Sequence, residues 1–293
     1  MKLFAPSYYK KFKCIADKCS HSCCIGWEID IDPETQEKYD ALTGGYSEKI
    51  KESIEISDSP HFKLQKNDRC PHLNECGLCN IITNLGEEYL CEICREHPRF
   101  YSFTSEGCGV GLGMACEEAC RIILSSDFDG DLTEIGEIEG EPDTEGFDAL
   151  PLRNDVFDLI NLDASYSECE QMLCDYVGVD PACLNPTKWS EVLSSLEYLD
   201  PAHKELFSNA EGNFKCSDSV LKRALGYFVF RHCSTAFDRV DFYQSLCFSL
   251  LCVSIIRHVS GNIKDVFLAA RMVSEELEYS TDNTDAIKQC FDF

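Results

Sequence analysis

Twelve of the chain's twenty cysteines fall within residues 14–120, at Cys14, Cys19, Cys23, Cys24, Cys70, Cys76, Cys79, Cys91, Cys94, Cys108, Cys116 and Cys120. The thiolate is the form of cysteine that binds metal, and several of these pairs have a spacing that turns two sulfurs the same way. Cys76 and Cys79 form one C-x-x-C, and Cys91 and Cys94 form a second, eleven residues further on. On a helix, residues three or four apart share a face, which aligns Cys91 with Cys94 and Cys116 with Cys120. Two such pairs make a zinc pattern, but a closed tetrahedral zinc uses only four ligands. Iron–sulfur clusters take four thiolates each and absorb this supply better. Adjacent Cys23 and Cys24 diverge by ~100° on a helix or ~180° on a strand, so they serve two centres, or one ligates while the other packs. The C-x-x-x-C-x-x-C spacing of radical-type clusters is absent: Cys19-x-x-x-Cys23 runs on into Ile25 and Gly26, and Cys116-x-x-x-Cys120 into Ile122 and Ile123.

Other residues near these sulfurs have competing readings. His21, His72 and His97 are possible ligands, although with sulfur this abundant hydrogen-bonded histidines are the simpler reading. Arg95, Arg99 and Arg121 lie close in sequence to candidate ligands and would balance cluster charge. The alternating glycines of "EGCGVGLGMA" (residues 106–115) suggest a cofactor-cradling loop, but consecutive helices follow where a dinucleotide fold needs alternating strands. A turn that positions Cys108 and Cys116 is the simpler reading. Cys169, Cys174, Cys183, Cys216, Cys233, Cys247, Cys252 and Cys290 lack ligand spacing and read mostly as small core hydrophobes.

The totals narrow the setting. With 26 basic and 52 acidic residues the formal charge is −26, which disfavours phosphate backbones and anionic lipid and suits a basic partner. We therefore expect no nucleic-acid and no membrane partner. The opening "MKLFAPSYYKKFKC" holds no apolar run of signal-peptide length. The most apolar stretch, Phe242 to Ile256, is too short to span a bilayer and reads as a buried helix. A cytoplasmic protein is expected, and in that reducing setting cysteines call for metal before disulfides.

The elements that must position these groups divide in two. We expect a mainly α fold, with an irregular, metal-organised Cys-rich region over residues 1–126, an acidic linker or loop over 127–150, and a helical region over 151–293. "GWEIDID" alternates Trp27, Ile29 and Ile31 with acids, as a half-buried strand does. A helix follows Pro33 and stops at Gly44 and Gly45. "GEEYLCEICREH" and "ACEEACRIILSS" read as further short helices. The linker carries acids, glycines and no base, a composition that packs poorly. Beyond it, apolar spacing of three and four predicts helices over 154–162, 166–177, 189–199, 217–237, 242–259 and 265–279.

Taken in order, the blocks "C-x4-C-x3-CC-x-GW" (Cys14 to Trp27), "CPHLNECGLCNI" (Cys70 to Ile81), "LGEEYLCEICREHPR" (Leu85 to Arg99) and "MACEEACRIIL" (Met114 to Leu124) resemble the flagellin lysine N-methylase family, part of a wider group described as zinc- or iron-chelating proteins. The likeness covers roughly residues 8–124. It implies methyl transfer from S-adenosylmethionine to lysines of flagellin or another lysine-bearing protein, with an iron–sulfur centre (4Fe-4S, or zinc as the alternative). It points to Cys14, Cys19, Cys23, Cys24, Cys70, Cys79, Cys94 and Cys116 as the shared ligand set, with Cys76, Cys91, Cys108 and Cys120 outside it. No catalytic base is legible. Two other readings use the same sulfurs: an iron–sulfur electron-transfer protein, and a zinc-stabilised binding module.

Overall fold

The computed structural model describes residues 1–142, 144–208 and 215–293. They group into two compact units, one of Lys13–His97 and one of Met1–Phe12 together with Pro98–Phe293. The strands, in chain order, are β1 (Lys2–Ala5), β2 (Ile54–Ile56), β3 (Pro60–Phe62), β4 (Arg99–Thr104), β5 (Gly107–Leu112) and β6 (Thr133–Glu137).

The Lys13–His97 unit holds the β2–β3 hairpin and four short helices: α1 (Pro33–Ala41), α2 (Ser47–Ser53), α3 (Asn80–Leu85) and α4 (Glu92–Glu96). Its small core gathers Ile29, Ile31, Tyr39, Ile50, Phe62, Leu73 and Ile81, with cysteines among them. The expected strand at Trp27–Ile31 is only a single bridge, Asp30 to His61. Ile29 and Ile31 still point into the core, so the alternation reports burial rather than pairing.

The other unit is helical, with a sheet that the apolar periodicity does not show. Four strands run in the order β4-β5-β1-β6, antiparallel except where β1 meets β5 in parallel. Helices α5 (Glu117–Ser125), α6 (Leu150–Ile160), α7 (Tyr166–Val177), α8 (Ser190–Ser195), α9 (Pro201–Ser208), α10 (Asp218–Cys233), α11 (Arg239–Ile263), α12 (Val266–Val273) and α13 (Thr281–Lys288) complete it. A π-helical turn, Ser274–Glu278, extends α12. The capping box of Ser165 and Glu168 starts α7, and Gly178, in the left-handed conformation, ends it. These are the signals that make helix boundaries readable.

Helix α11 is longer than its apolar run and meets the length and composition of a membrane span. Phe242, Leu246, Leu250, Val253 and Ile256 on it are fully buried in the protein, which makes it the central core helix.

The acidic segment 127–150 is more structured than its composition predicts. Phe128 packs edge-on against Tyr8, Phe157 and Phe230. Strand β6 pairs with β1, and Lys2 bridges to Glu134 at 2.8 Å. An exposed edge strand gains its order from backbone pairing and tolerates charge on both faces. Asp143, inside the expected linker, lies outside the described residues. Residues 98–126, expected with the Cys-rich region, fold with the helical unit instead, because β4, β5 and α5 complete its sheet and core.

Candidate metal centre

Short helices and laced loops set the sulfurs of the Lys13–His97 unit. Cys79 and Cys91 are the N-cap residues of α3 and α4, where exposed helix N–H groups favour negative charge. Asp32 caps α1 by accepting the Thr35 N–H at 2.9 Å, and its other oxygen accepts the Glu92 N–H at 2.7 Å. One carboxylate thereby pins the start of α4 to the start of α1. Tyr39 of α1 donates to the Tyr89 carbonyl at 2.7 Å, and its oxygen lies 3.7 Å from Cys91 Sγ. The Cys70 N–H donates to the Cys24 carbonyl at 2.9 Å, and the Asn80 N–H to the His72 carbonyl at 2.7 Å. These bonds fold the 24–26, 68–73 and 79–80 segments together.

The result is a cluster of five thiols. Cys70 and Cys91 are buried in the unit's core, and Cys24, Cys79 and Cys94 pack against it. A hydrogen bond between Cys91 and Cys94 drives the Cys91 thiol down and the Cys94 thiol up. Cys24 is held down at about 7, chiefly by a hydrogen bond with Cys23 and, against burial, by Ser22 and the Arg69 guanidinium. Burial pushes Cys70 up to about 12, and the Cys24 and Cys79 sulfurs add to the rise. Burial raises Cys79 as well, with Cys24 and Cys91 contributing.

The backbone works against that rise. Nearby peptide groups of His72 and Leu73 lower the Cys70 thiol, and those of Ile81 and Ile82 lower the Cys79 thiol. Peptide N–H groups aimed at sulfur favour thiolate, whereas burial and neighbouring sulfurs oppose it. A soft cation among the five removes the conflict by supplying the missing positive charge. The donors are all sulfur, as iron–sulfur centres and thiolate zinc sites require. The donor chemistry suits such a group, but among the described residues no three of these sulfurs lie within 4.8 Å of one another, as closure round a single ion needs. The one such trio of ligand atoms among the described residues is His203, Glu275 and Glu276.

Of the eight expected ligands, Cys24, Cys70, Cys79 and Cys94 belong to this cluster. Cys23 adjoins it through its bond to Cys24. Cys14 is exposed and accepts the Ala16 N–H at 3.4 Å, and Cys19 donates to the His21 carbonyl at 2.8 Å. Cys116 belongs to the other unit, as the N-cap residue of α5. Cys91 lies inside the cluster although it stands outside the expected set; its C-x-x-C with Cys94 was the available signal. Arg69 is a further participant that the sequence did not single out. Among the described residues no disulfide joins any of the twenty cysteines.

The other candidates resolve differently. His72 is fully buried with both ring nitrogens engaged, Nδ1 with Tyr46 Oη at 2.8 Å and Nε2 with Ser53 Oγ at 2.9 Å, which leaves no lone pair for a metal. The 106–115 glycines are no cofactor loop, because they form β5 and its approach. A methyl group on Gly111 would overlap the Phe100 ring and come 2.8 Å from Phe230. Those glycines make room for aromatic packing. Cys108 and Cys120 are buried, and Arg121 is held by Glu118 in a two-pronged ion pair.

Compared with known proteins, the chain is similar to the flagellar biosynthetic protein FliU of Salmonella muenchen. The two are 30% identical over 139 residues, 45% of this chain and 80% of that protein. It is also similar to lysine-N-methylases of Salmonella typhimurium and Salmonella choleraesuis, each 27% identical over 133 residues. The match spans 32% of each of those lysine-N-methylases. No family model and no solved structure matches the chain.

Proposed function

Because the chain belongs to the family of the flagellar biosynthetic protein FliU, we propose that it is a cytoplasmic lysine N-methyltransferase acting on flagellin or another lysine-bearing protein. The names of its relatives, one flagellar and two lysine-N-methylases, support the reaction and the substrate class. The five thiols gathered in one core support the iron–sulfur reading, of the 4Fe-4S type, and the family resemblance supports S-adenosylmethionine as methyl donor. When bound, such a cluster would be held by these thiols and would supply a charged, redox-capable inorganic centre.

The chain's own residues supply the rest. The amides at Cys70 and Cys79 stabilise negative sulfur, and Asp32 and Tyr39 fix the helix that bears Cys91 and Cys94. A net charge of −26 draws a lysine-rich partner to the surface. Lysine, with an ordinary pKa of about 10.4, must then lose its proton before it can attack a methyl group. The enzyme must desolvate the amine or set a proton acceptor beside it.

The test is to purify the full chain without oxygen, record its visible spectrum and metal content, and incubate it with methyl-labelled donor and flagellin. Label on flagellin lysines is expected. Unlabelled lysine with the visible band intact overturns the methylase reading, and reversible bleaching by dithionite then selects electron transfer. A colourless protein with stoichiometric zinc selects the binding module.

A further inference from the structure

An open cleft of about 550 Å³ lies in the Lys13–His97 unit, lined by Lys49, Gln65, Arg69, Pro71, Asn74 and Asn80 among others. Pro71 and Asn80 are the immediate chain neighbours of Cys70 and Cys79, and Arg69 directly precedes Cys70. The cleft therefore borders the thiol cluster.

Its charge is unusual for this molecule. Acids outnumber bases by 52 to 26, yet among the described residues neither Lys49 nor Arg69 has a carboxylate within ion-pair distance. Lys49 sits over the Tyr46 ring, its Nζ 5.4 Å from the centroid. Arg69 is anchored from one side, its Nη2 donating to the carbonyls of Leu73, at 3.3 Å, and Asn74. An arginine held by one nitrogen keeps its remaining donors for a planar anion. Asn74 stiffens the rim, because its Oδ1 accepts the N–H groups of Cys76 at 2.9 Å and Leu78 at 3.0 Å. Two unpaired cations and several amides around one opening are the groups that bind a carboxylate. The one acid on the lining, Glu75, is exposed.

We propose that this cleft binds the free carboxylate of a small amino-acid-type ligand through Arg69 and Lys49, and so presents that ligand to the thiol cluster. Resting on the methylase reading, the ligand is the amino-acid end of S-adenosylmethionine.

The discriminating probe is decarboxylated S-adenosylmethionine, which differs only by the missing carboxylate and carries one more net positive charge. Diffuse attraction to a protein of charge −26 favours the decarboxylated compound, so a preference for the intact donor has to arise locally. Calorimetry on the full, oxygen-free protein is expected to show the intact donor bound about tenfold or more tightly, the worth of a charge-assisted hydrogen bond. Arg69→Gln is expected to abolish the preference and Lys49→Gln to reduce it, with metal content and circular dichroism unchanged in Lys49→Gln. Because Arg69 also holds two carbonyls, the exposed Lys49 is the control for misfolding. A preference that survives both substitutions, or a wild-type protein without one, overturns the cleft. Carboxylate preference without methyl transfer to lysine overturns the methylase reading alone, and methyl transfer without the preference overturns the cleft alone.

Discussion

The carboxylate of Glu278 has no exposed surface, and the guanidinium of Arg231 lies 2.8 Å from it. Tyr227 and Ser274 donate to the same oxygen, and the Met114 N–H donates to Tyr227 Oη at 3.1 Å. Arg231 in turn lies between the rings of Phe100 and Tyr279, 4.8 and 4.7 Å from their centroids. The π-helical turn delivers Glu278 to this point, and the pair ties α10, the end of α12 and the chain leading into Cys116 together. Removing one member of a buried pair strands the other charge, at a cost of about 3–5 kcal/mol. Glu278→Ala is expected to lower the urea midpoint accordingly, followed by Trp189 fluorescence in a Trp27→Phe background. A loss below about 1 kcal/mol would show that water reaches Arg231 and replaces the lost partner.

The same pair sets an acid dependence. Burial alone would raise the Glu278 carboxyl, but Arg231, His232 and Tyr227 together hold it below its ordinary value of 4.5. A carboxyl depressed in the folded state contributes stability above its unfolded pKa and loses that contribution as pH falls through the folded one. Wild type is thus expected to lose stability relative to Glu278→Gln as the pH drops below about 4.5. Urea midpoints for the two proteins, measured from pH 6 to pH 3, check this by their convergence. Parallel curves would mean that the carboxyl titrates alike in both states.

Asp32 makes a separate, local prediction. It accepts the Thr35 and Glu92 amides at 2.9 and 2.7 Å, so one side chain serves two helix starts. Losing a cap of this kind costs about 1–2 kcal/mol. In Asp32→Ala the Thr35 and Glu92 amides are expected to exchange with solvent about 5–30 times faster, with Asp32→Asn between that variant and wild type. Hydrogen exchange followed by mass spectrometry or NMR reads both sites. Acceleration at Thr35 alone would show that α4 is held by other contacts.

How much of this was legible depends on how local the cause is. Helices α7, α10 and α11 announce themselves, because apolar spacing and caps such as Ser165, Ser217 and Asp238 act within a few residues. The sheet does not. Strand β5 alternates glycine where a strand normally shows branched side chains, and β6 carries acids on an edge. Their partner β1 lies at the other end of the segment: Leu3 pairs with both Cys108 and Gly136. No window reading connects such residues, which is also why Met1–Phe12 could not be assigned to the helical unit. For the thiols, sulfur count and C-x-x-C spacing marked the segment in which Cys24, Cys70, Cys79, Cys91 and Cys94 gather. Which sulfurs converge is set by turns at Gly26 and Gly77, whose φ angles of 100° and 79° suit glycine, and by cross-links such as Cys70 to the Cys24 carbonyl.

Convergence gives the last prediction, because it separates cysteines that spacing treats alike. Cys76 and Cys91 each open onto a C-x-x-C pair, yet Cys76 is exposed on a turn and Cys91 is fully buried against Cys94 and Tyr39. If the five-thiol cluster is the metal centre, Cys91→Ala removes a donor or its immediate hydrogen-bonding neighbour. Outer-shell losses alone cost about 10–100-fold in metal affinity, so Cys91→Ala is expected to lose at least about tenfold against a competing chelator. Cys70→Ala should behave the same way, and Cys76→Ala should retain wild-type metal and spectrum. The measurement is metal per chain after graded chelation of oxygen-free protein. Loss at Cys76 with retention at Cys91 would place the centre at the exposed turn rather than in the buried cluster.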